Sequence, residues 1–319
     1  MFNGMEYVYE VYKERSFLKA SQNLFISQPS LSATVKRIEQ RIGYPIFDRS
    51  TKPLRLTECG EKYIQSVKQI LEIENDFSNF INDLGDLKTG SLILGGSSLF
   101  TSWVLPPFMR EFTLRFPLVK LTLVEESTIK LERLLQSGAV DLVIDNCMPD
   151  PMFFNSIVFQ KEYLLLAVPK SFDINQKLEP FQITAKSIAD LSFLHENVMP
   201  VPLNEFQEQP FIVLKPENDT RTRAMELCQE HGFLPRIVFE VDQQMTSYNI
   251  TCSGMGISFI SNTLISKVPP NPNIVYYKLD GERSCRNISF YWKSGRYFSK
   301  TMKEFLKIAG KQTGSMNDN

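Results

Sequence analysis

Residues 16–57 read SFLKASQNLFISQPSLSATVKRIEQRIGYPIFDRSTKPLRLT, and the rest of the chain is best understood outward from them. Ser16 is placed to cap a short helix in which Leu18 and Leu24 are expected to face inward. Ser27 then caps a second helix with Pro29 in its first turn, where a missing N–H costs nothing. Leu31, Val35, Ile38 and Ile42 fall on one apolar stripe of that helix, and Gly43 stops it. Its opposite face carries Gln28, Ser32, Lys36 and Arg37. Two short strands are expected over 46–49 and 54–56, around the turn Ser50, Thr51, Lys52, Pro53. Upstream, Phe2, Met5, Val8 and Tyr12 recur at helical spacing, which predicts a helix over 3–14. Three helices followed by a basic hairpin predict a winged helix-turn-helix, a module that lays one helix in the major groove of DNA.

The charge distribution agrees. The whole chain of 319 residues has a formal net charge of −1, which by itself argues against nucleic acid. The charge is segregated, however. Eight basic residues (Arg15, Lys19, Lys36, Arg37, Arg41, Arg49, Lys52, Arg55) face only Glu39 and Asp48 over 15–55. Over 58–88 seven acidic residues outweigh three basic ones. A basic module followed by an acidic helix is more informative than the average. Gln pairs bidentately with adenine and Ser reads most base edges, so Gln28 and Ser32 are placed to read sequence. Ser27 at the leading end of the helix, Lys36 and Arg37 further along it, and Arg49, Lys52 and Arg55 on the wing are placed to meet phosphates. The plainer alternative is a three-helix surface module with solvated charges. The agreement of caps, Pro, stripe, Gly stop and hairpin tells against it.

From 58 to about 86 nothing breaks a helix. Tyr63, Ile70, Phe77 and Leu84 recur every seven residues, and Val67 and Ile81 occupy the second seam position. Such a stripe seeks a partner helix, or else packs against its own domain. Gly85, Thr89, Gly90 and Ser91 mark a hinge. Beyond it strands alternate with helices: strands near 92–94, 120–125 and 141–145, helices over 101–115 and from Ser127–Thr128 onward. That order predicts a parallel sheet with ligands at the strand C-terminal ends. A second such unit begins near Tyr163 and runs through 191–195, 211–214, 220–231 and 237–241 to the segment 254–260. The chain is then expected to return to the first lobe after about Lys267, through 274–278 and 288–292. Ser97 and Ser98, Ser127 and Thr128, and Thr220 and Arg221 stand at helix starts, and His195 and Glu196 at an expected strand end. A small carboxylate held by hydroxyls and one Arg is the expected ligand. The same Ser and Thr residues also read as ordinary caps, His195 as a surface residue, and Phe100 and Phe259 as either pocket or core.

The run SFLKASQNLFISQPSLSATVKRIEQRIGYPIFDRS, continued by LRLTECGE, resembles the LysR-type transcriptional regulators. The resemblance implies base reading from Gln28, Pro29 and Ser32. It also implies a linker-helix dimer, a homotetramer on DNA, a partly palindromic double-stranded operator and contact with RNA polymerase. It implies an α/β fold class: a winged helix-turn-helix (1–57), a linker helix and hinge (58–90), and a two-lobed periplasmic-binding-protein-like effector domain (91–319). Lobe I is expected over 91–162 and 268–319, and lobe II over 163–267. Ala33 departs from the Arg frequent in the family, and Cys59 from a small residue such as Ala.

Other classes fit less well. A hydrophobic fraction of 43% and a charged fraction of 22% are those of a soluble globular protein. No run of about 18 uncharged apolar residues predicts a membrane span. Glu6, Glu10 and Glu14 stand where a signal peptide would need an apolar core, so a cytoplasmic location is expected. The two histidines, His195 and His231, are not in metal spacing, and G-x-S-x-G, P-loop and G-x-G-x-x-G patterns are missing. An enzyme is therefore not expected, nor a metal or a cofactor beyond the effector. Five scattered cysteines suit free thiols, and a redox sensor built on Cys228 and Cys252 is the main alternative within the same fold. A non-specific, nucleoid-type DNA binder is disfavoured by the net charge.

Overall fold

The computed structural model describes residues 1–84 and 90–314. The chain divides into two compact units, Met1–Asn79 and Phe80–Asn319.

The first unit is built from α1 (Met5–Glu14), α2 (Phe17–Asn23), α3 (Gln28–Ile42), the two-stranded wing β1 (Phe47–Asp48) and β2 (Arg55–Leu56), and most of α4 (Glu58–Leu84). Helix α1 starts at Met5 rather than at residue 3, because Gly4 adopts a left-handed φ of 88°. Ser16 and Ser27 cap α2 and α3 as expected, accepting from the backbone N–H of Lys19 and Ser30. The α3 stripe holds: Leu31, Val35 and Ile38 are buried and Ile42 partly so. Gly43 ends α3 at φ 87°, a conformation that suits a residue without Cβ. One inward assignment is corrected. Leu18 is 61% exposed, because α2 turns Phe17, Ala20, Ser21 and Leu24 to the core and Leu18 lies one residue out of phase.

Helix α4 divides its own apolar stripe. Tyr63, Ile64 and Val67 are buried in the first unit's core, where Phe2 stacks on Tyr63 at 5.2 Å, and Ile70 packs beside them. Phe77, Ile81 and Leu84, by contrast, are exposed, as is Ile73. Tyr63 and Val67 are thus corrected from dimer seam to intramolecular core, Ile70 is partly buried, and the second half of the stripe faces outward. Of the hinge residues, Gly85 and Thr89 lie outside the described residues; Gly90 has a φ of 120°.

The second unit is α/β. It opens with β3 (Ser91–Gly96), a single π-helical turn (Phe100–Val104) running into α5 (Leu105–Arg115), β4 (Lys120–Glu125), α6 (Thr128–Gln136), β5 (Leu142–Asp145) and the long β6 (Phe154–Pro169). There follow α7 (Ile174–Lys177), β7 (Gln182–Ile183), α8 (Ala185–Ala189), β8 (Pro210–Leu214), α9 (Asp219–Glu230), β9 (Arg236–Val241), α10 (Gln244–Cys252), β10 (Ile257–Ser261), α11 (Asn262–Ile265) and β11 (Ile274–Lys278). Strand β12 (Cys285–Lys293) and helix α12 (Lys300–Gly314) close it.

Strands run in the order β4-β3-β5-β12-β6-β10-β8-β9, with β11 paired to β6 and β7 paired to β11. The pairs β3–β4, β3–β5, β8–β9 and β8–β10 are parallel, as the alternation of strands and helices requires. The 16-residue β6 belongs to both lobes: its first half pairs with β12, and its second half with β10 and β11. Apolar clusters on both faces of each half-sheet form the two lobes.

The expected return to lobe I after Lys267 is corrected. Strand β11 pairs with residues Leu165 to Pro169 of β6, and Tyr277 and Leu279 complete the lobe II core. The chain crosses back between β11 and β12, which pairs with the first half of β6, so lobe II extends past residue 278. At the other end, the last turn of α4 is tied to lobe I, where Asp83 accepts from the Tyr297 hydroxyl at 2.8 Å and the Lys300 N–H at 2.7 Å.

Candidate functional site

Two sites emerge, one in each unit. In the first, the stripe that buries Leu31, Val35 and Ile38 turns Gln28, Pro29, Ala33, Lys36 and Arg37 to the surface. Ser27 is exposed beside them, and Ser32 is half-buried. Glu39, on the same helix, anchors the wing: its carboxylate accepts the N–H of Ile46 at 2.8 Å and of Phe47 at 3.2 Å, and pairs with Arg49 at 3.0 Å. The Arg49 guanidinium lies over Phe17 at 5.1 Å and reaches Ser32 Oγ at 3.5 Å. It is therefore held between recognition helix and wing rather than projecting freely. At the wing tip Asp48 accepts from Ser50 N–H and hydroxyl, bonds that hold its carboxyl below the usual range. Lys52 and Arg55 stay exposed at the rim. The result is an exposed polar helix flanked by cations, the geometry needed to read a groove while tracking its phosphates.

The second site is a cavity of about 260 Å³ between the lobes of the second unit. It lies at the C-terminal ends of β3, β5, β8 and β9, where open α/β sheets place ligands. Ser97, Ser98, Thr128 and Thr220 line it, as the sequence led us to expect. Ser127, Arg221, His195 and Glu196 do not. Ser127 is the exposed N-cap residue of α6. Arg221 turns away to the Leu214 carbonyl at 2.9 Å and the Glu240 carboxylate. His195 and Glu196 follow a 3-10 turn, Ser192–Leu194, where no strand forms, and both are exposed. The expected arginine contact to a ligand is therefore withdrawn. Phe100 and Phe259 are core residues.

Sequence reasoning missed Asp145, Asn146, Asn218, Asp219, Gln243 and Gln244, all of which line the cavity. Asp145 and Asn146 stand at the end of β5, a strand the sequence places near 141–145, and Gln243 and Gln244 follow β9. Applied to those two strands, the strand-end rule would have nominated them. Asp145 is 1% exposed; burial, its largest influence, pushes its carboxyl up to about 6 against the hydrogen bonds from Thr128 and Asn146. Helices α6 and α10 begin at the cavity with no side-chain cap on their first N–H groups, whereas Asn218 caps α9.

Residues 2–61 match the family described as "Bacterial regulatory helix-turn-helix protein, lysR family", and residues 85–314 match "LysR substrate binding domain". The chain belongs to the LysR family. Among similar proteins, the uncharacterized HTH-type transcriptional regulator YcgK of Bacillus subtilis is 27% identical over 305 residues, which cover 96% of this chain and 92% of that protein. The probable RuBisCO transcriptional regulator of Emiliania huxleyi is 24% identical over 304 residues, covering 93% and 90%. The fold matches full-length CbnR in complex with its target DNA, with a TM-score of 0.65, 17% identity and coverage of 98% and 99%. It also matches a full-length OxyR from Pseudomonas aeruginosa, with a TM-score of 0.65, 19% identity and coverage of 96% and 94%.

As a LysR-family chain this is a transcriptional regulator with a DNA-binding and an effector-binding domain, not an enzyme. No helix among the described residues of the regulator is long and apolar enough to cross a membrane. Its five cysteines are free thiols. Burial pushes Cys228 up to about 12 and also raises Cys147 and Cys252, the opposite of what a reactive thiolate needs.

Proposed function

We propose that the protein is a homodimeric LysR-type regulator that reads a partly palindromic operator, and that a small effector with an anionic group, bound in the lobe cleft, sets how the DNA is held. The observation that carries the first half is the α3 face, where Gln28, Pro29, Lys36 and Arg37 are exposed beside the wing cations Lys52 and Arg55. The exposed apolar residues Ile73, Ile81 and Leu84 on α4 support pairing with a second copy. The uncapped starts of α6 and α10 support the anionic group, because free N–H groups and the helix dipole favour negative charge. The effector acts by binding one arrangement of the DNA-bound dimers, or of a tetramer, better than another, which changes the bend of the DNA.

Fluorescence anisotropy tests the DNA half, comparing the region upstream of the gene with a scrambled duplex at two salt concentrations. Gln28→Ala is expected to cost about 1–3 kcal/mol on the true site and little on the scrambled one. Arg55→Ala is expected to weaken both alike and to lower the salt slope by about one. Equal losses on both duplexes for Gln28→Ala would remove base reading from that residue. For the cleft, a panel of small carboxylates is screened for a change in operator affinity, with the cavity-filling Ser98→Phe as control. A response that survives Ser98→Phe would place the effector elsewhere.

A further inference from the structure

Carboxylates in and behind the cavity wall outnumber the cations beside them: Asp145 and Asp219 line it, and Glu162 lies behind. Asp145 Oδ2 accepts from Thr128 Oγ1 at 2.6 Å, and Oδ1 from the Asn146 N–H at 2.8 Å, but Asp145 has no salt-bridge partner among the described residues. The cations nearby are already committed. Arg286, on β12, pairs with Glu162 and with Asp219 at 2.7 Å each, and Arg223 pairs with Asp219 at 2.8 Å. Two carboxylates thus take up both guanidiniums, and the third, Asp145, is left without one. Glu162 sits behind the cavity-lining Asn146, whose Nδ2 it accepts at 2.9 Å, and its Oε1 has no hydrogen-bond partner although the side chain is 0% exposed. Among the described residues no Lys, Arg or His lines the cavity.

We propose that the effector is a small zwitterion, an α-amino acid in its simplest form, whose ammonium group is received by Asp145 while its carboxylate meets the uncapped helix starts. This rests on the effector reading above and narrows it. An ionised carboxylate held out of water without a cation is costly, and an ammonium brought by the ligand supplies the missing partner. The groups acting on Asp145 are the Thr128 and Asn146 donors, Arg286 and the Asp219 carboxylate. Together with burial they leave its carboxyl titrating at about 6, so it is charged at neutral pH. The volume, about 260 Å³, is smaller than the roughly 300–1,000 Å³ of drug-sized pockets and suits a molecule of this size. The two-ended recognition also explains why the cavity mixes carboxylates with free N–H groups.

Thermal unfolding of the full chain tests it, in the presence of each common α-amino acid and, separately, of the matched α-hydroxy acid, which keeps the carboxylate and side chain but lacks the ammonium. At least one amino acid is expected to raise Tm in a concentration-dependent way while its hydroxy counterpart does not. Asp145→Asn is expected to weaken that amino acid roughly 100-fold while keeping a cooperative transition of its own. Hydroxy acids as effective as amino acids, or an unchanged response in Asp145→Asn, would overturn the zwitterion and leave an anionic effector standing. A shift with neither class would also overturn it. The broader effector reading would fall only if the wider carboxylate panel also left operator affinity unmoved.

Discussion

A carboxyl group buried without a cation beside it lowers stability whenever it is ionised. Asp145 titrates at about 6 in the folded protein, against 3.8 for the ordinary side chain. Between those two values the folded state holds more protons than the unfolded state, so this residue's contribution to stability falls as pH rises through that window. Above it the charge costs about 3 kcal/mol. Asp145→Asn is therefore expected to raise Tm above about pH 6 and to change it little near pH 4, as read by paired melts of variant and parent. An equal Tm difference at both ends would mean that the residue's proton is not what matters. The cost is the kind that is retained where a site needs the charge. At this scale the sequence revealed the two sites unequally. Gln28 and Pro29 were legible because cap, Pro and stripe all act within one helix. Asp219 was not, because a fold far from local in sequence brings it to the cavity that Asp145, at the end of β5, also lines.

Among elements, the join between wing and linker helix shows how closely backbone is packed. Thr57 caps the first turn of α4 by accepting the Gly60 N–H at 3.0 Å, and donates its hydroxyl to the Pro45 carbonyl at 2.6 Å. A Cβ on Gly60 would lie 2.0 Å from the Ile46 carbonyl oxygen, which is backbone and has no rotamer by which to give way. Gly60→Ala gains about 1 kcal/mol of helix propensity and loses more through that overlap. We expect a net destabilisation of about 1–3 kcal/mol, measured as a fall in the unfolding midpoint of the first unit together with weaker DNA binding. A neutral outcome would show that the wing can retreat. The elements read least well from sequence were those governed by partners. Leu18 looked apolar enough for the core but lies out of phase on a seven-residue helix. Strand β11 falls in lobe II, not in lobe I where the order of segments points, because pairing, which periodicity does not encode, decides its sheet.

At the level of the molecule, the proposed dimer puts the exposed half of the α4 stripe to use. Ile81 and Leu84 of α4, 48% and 70% exposed, are large apolar groups left facing outward. Replacing both with Glu is expected to shift the protein to monomer in sedimentation velocity and to weaken binding to a two-half-site operator far more than to a single half-site. An unchanged oligomer would locate the interface elsewhere. The long strand β6, shared by both lobe sheets, has a consequence for anyone wishing to re-engineer ligand preference. Since β6 runs unbroken from the sheet of one lobe into that of the other, the lobes cannot be parted along it to exchange one for that of a relative. A chimera cut there would sever hydrogen-bonded ladders, so new specificity would have to be transplanted as the whole segment 90–314 or introduced one side chain at a time.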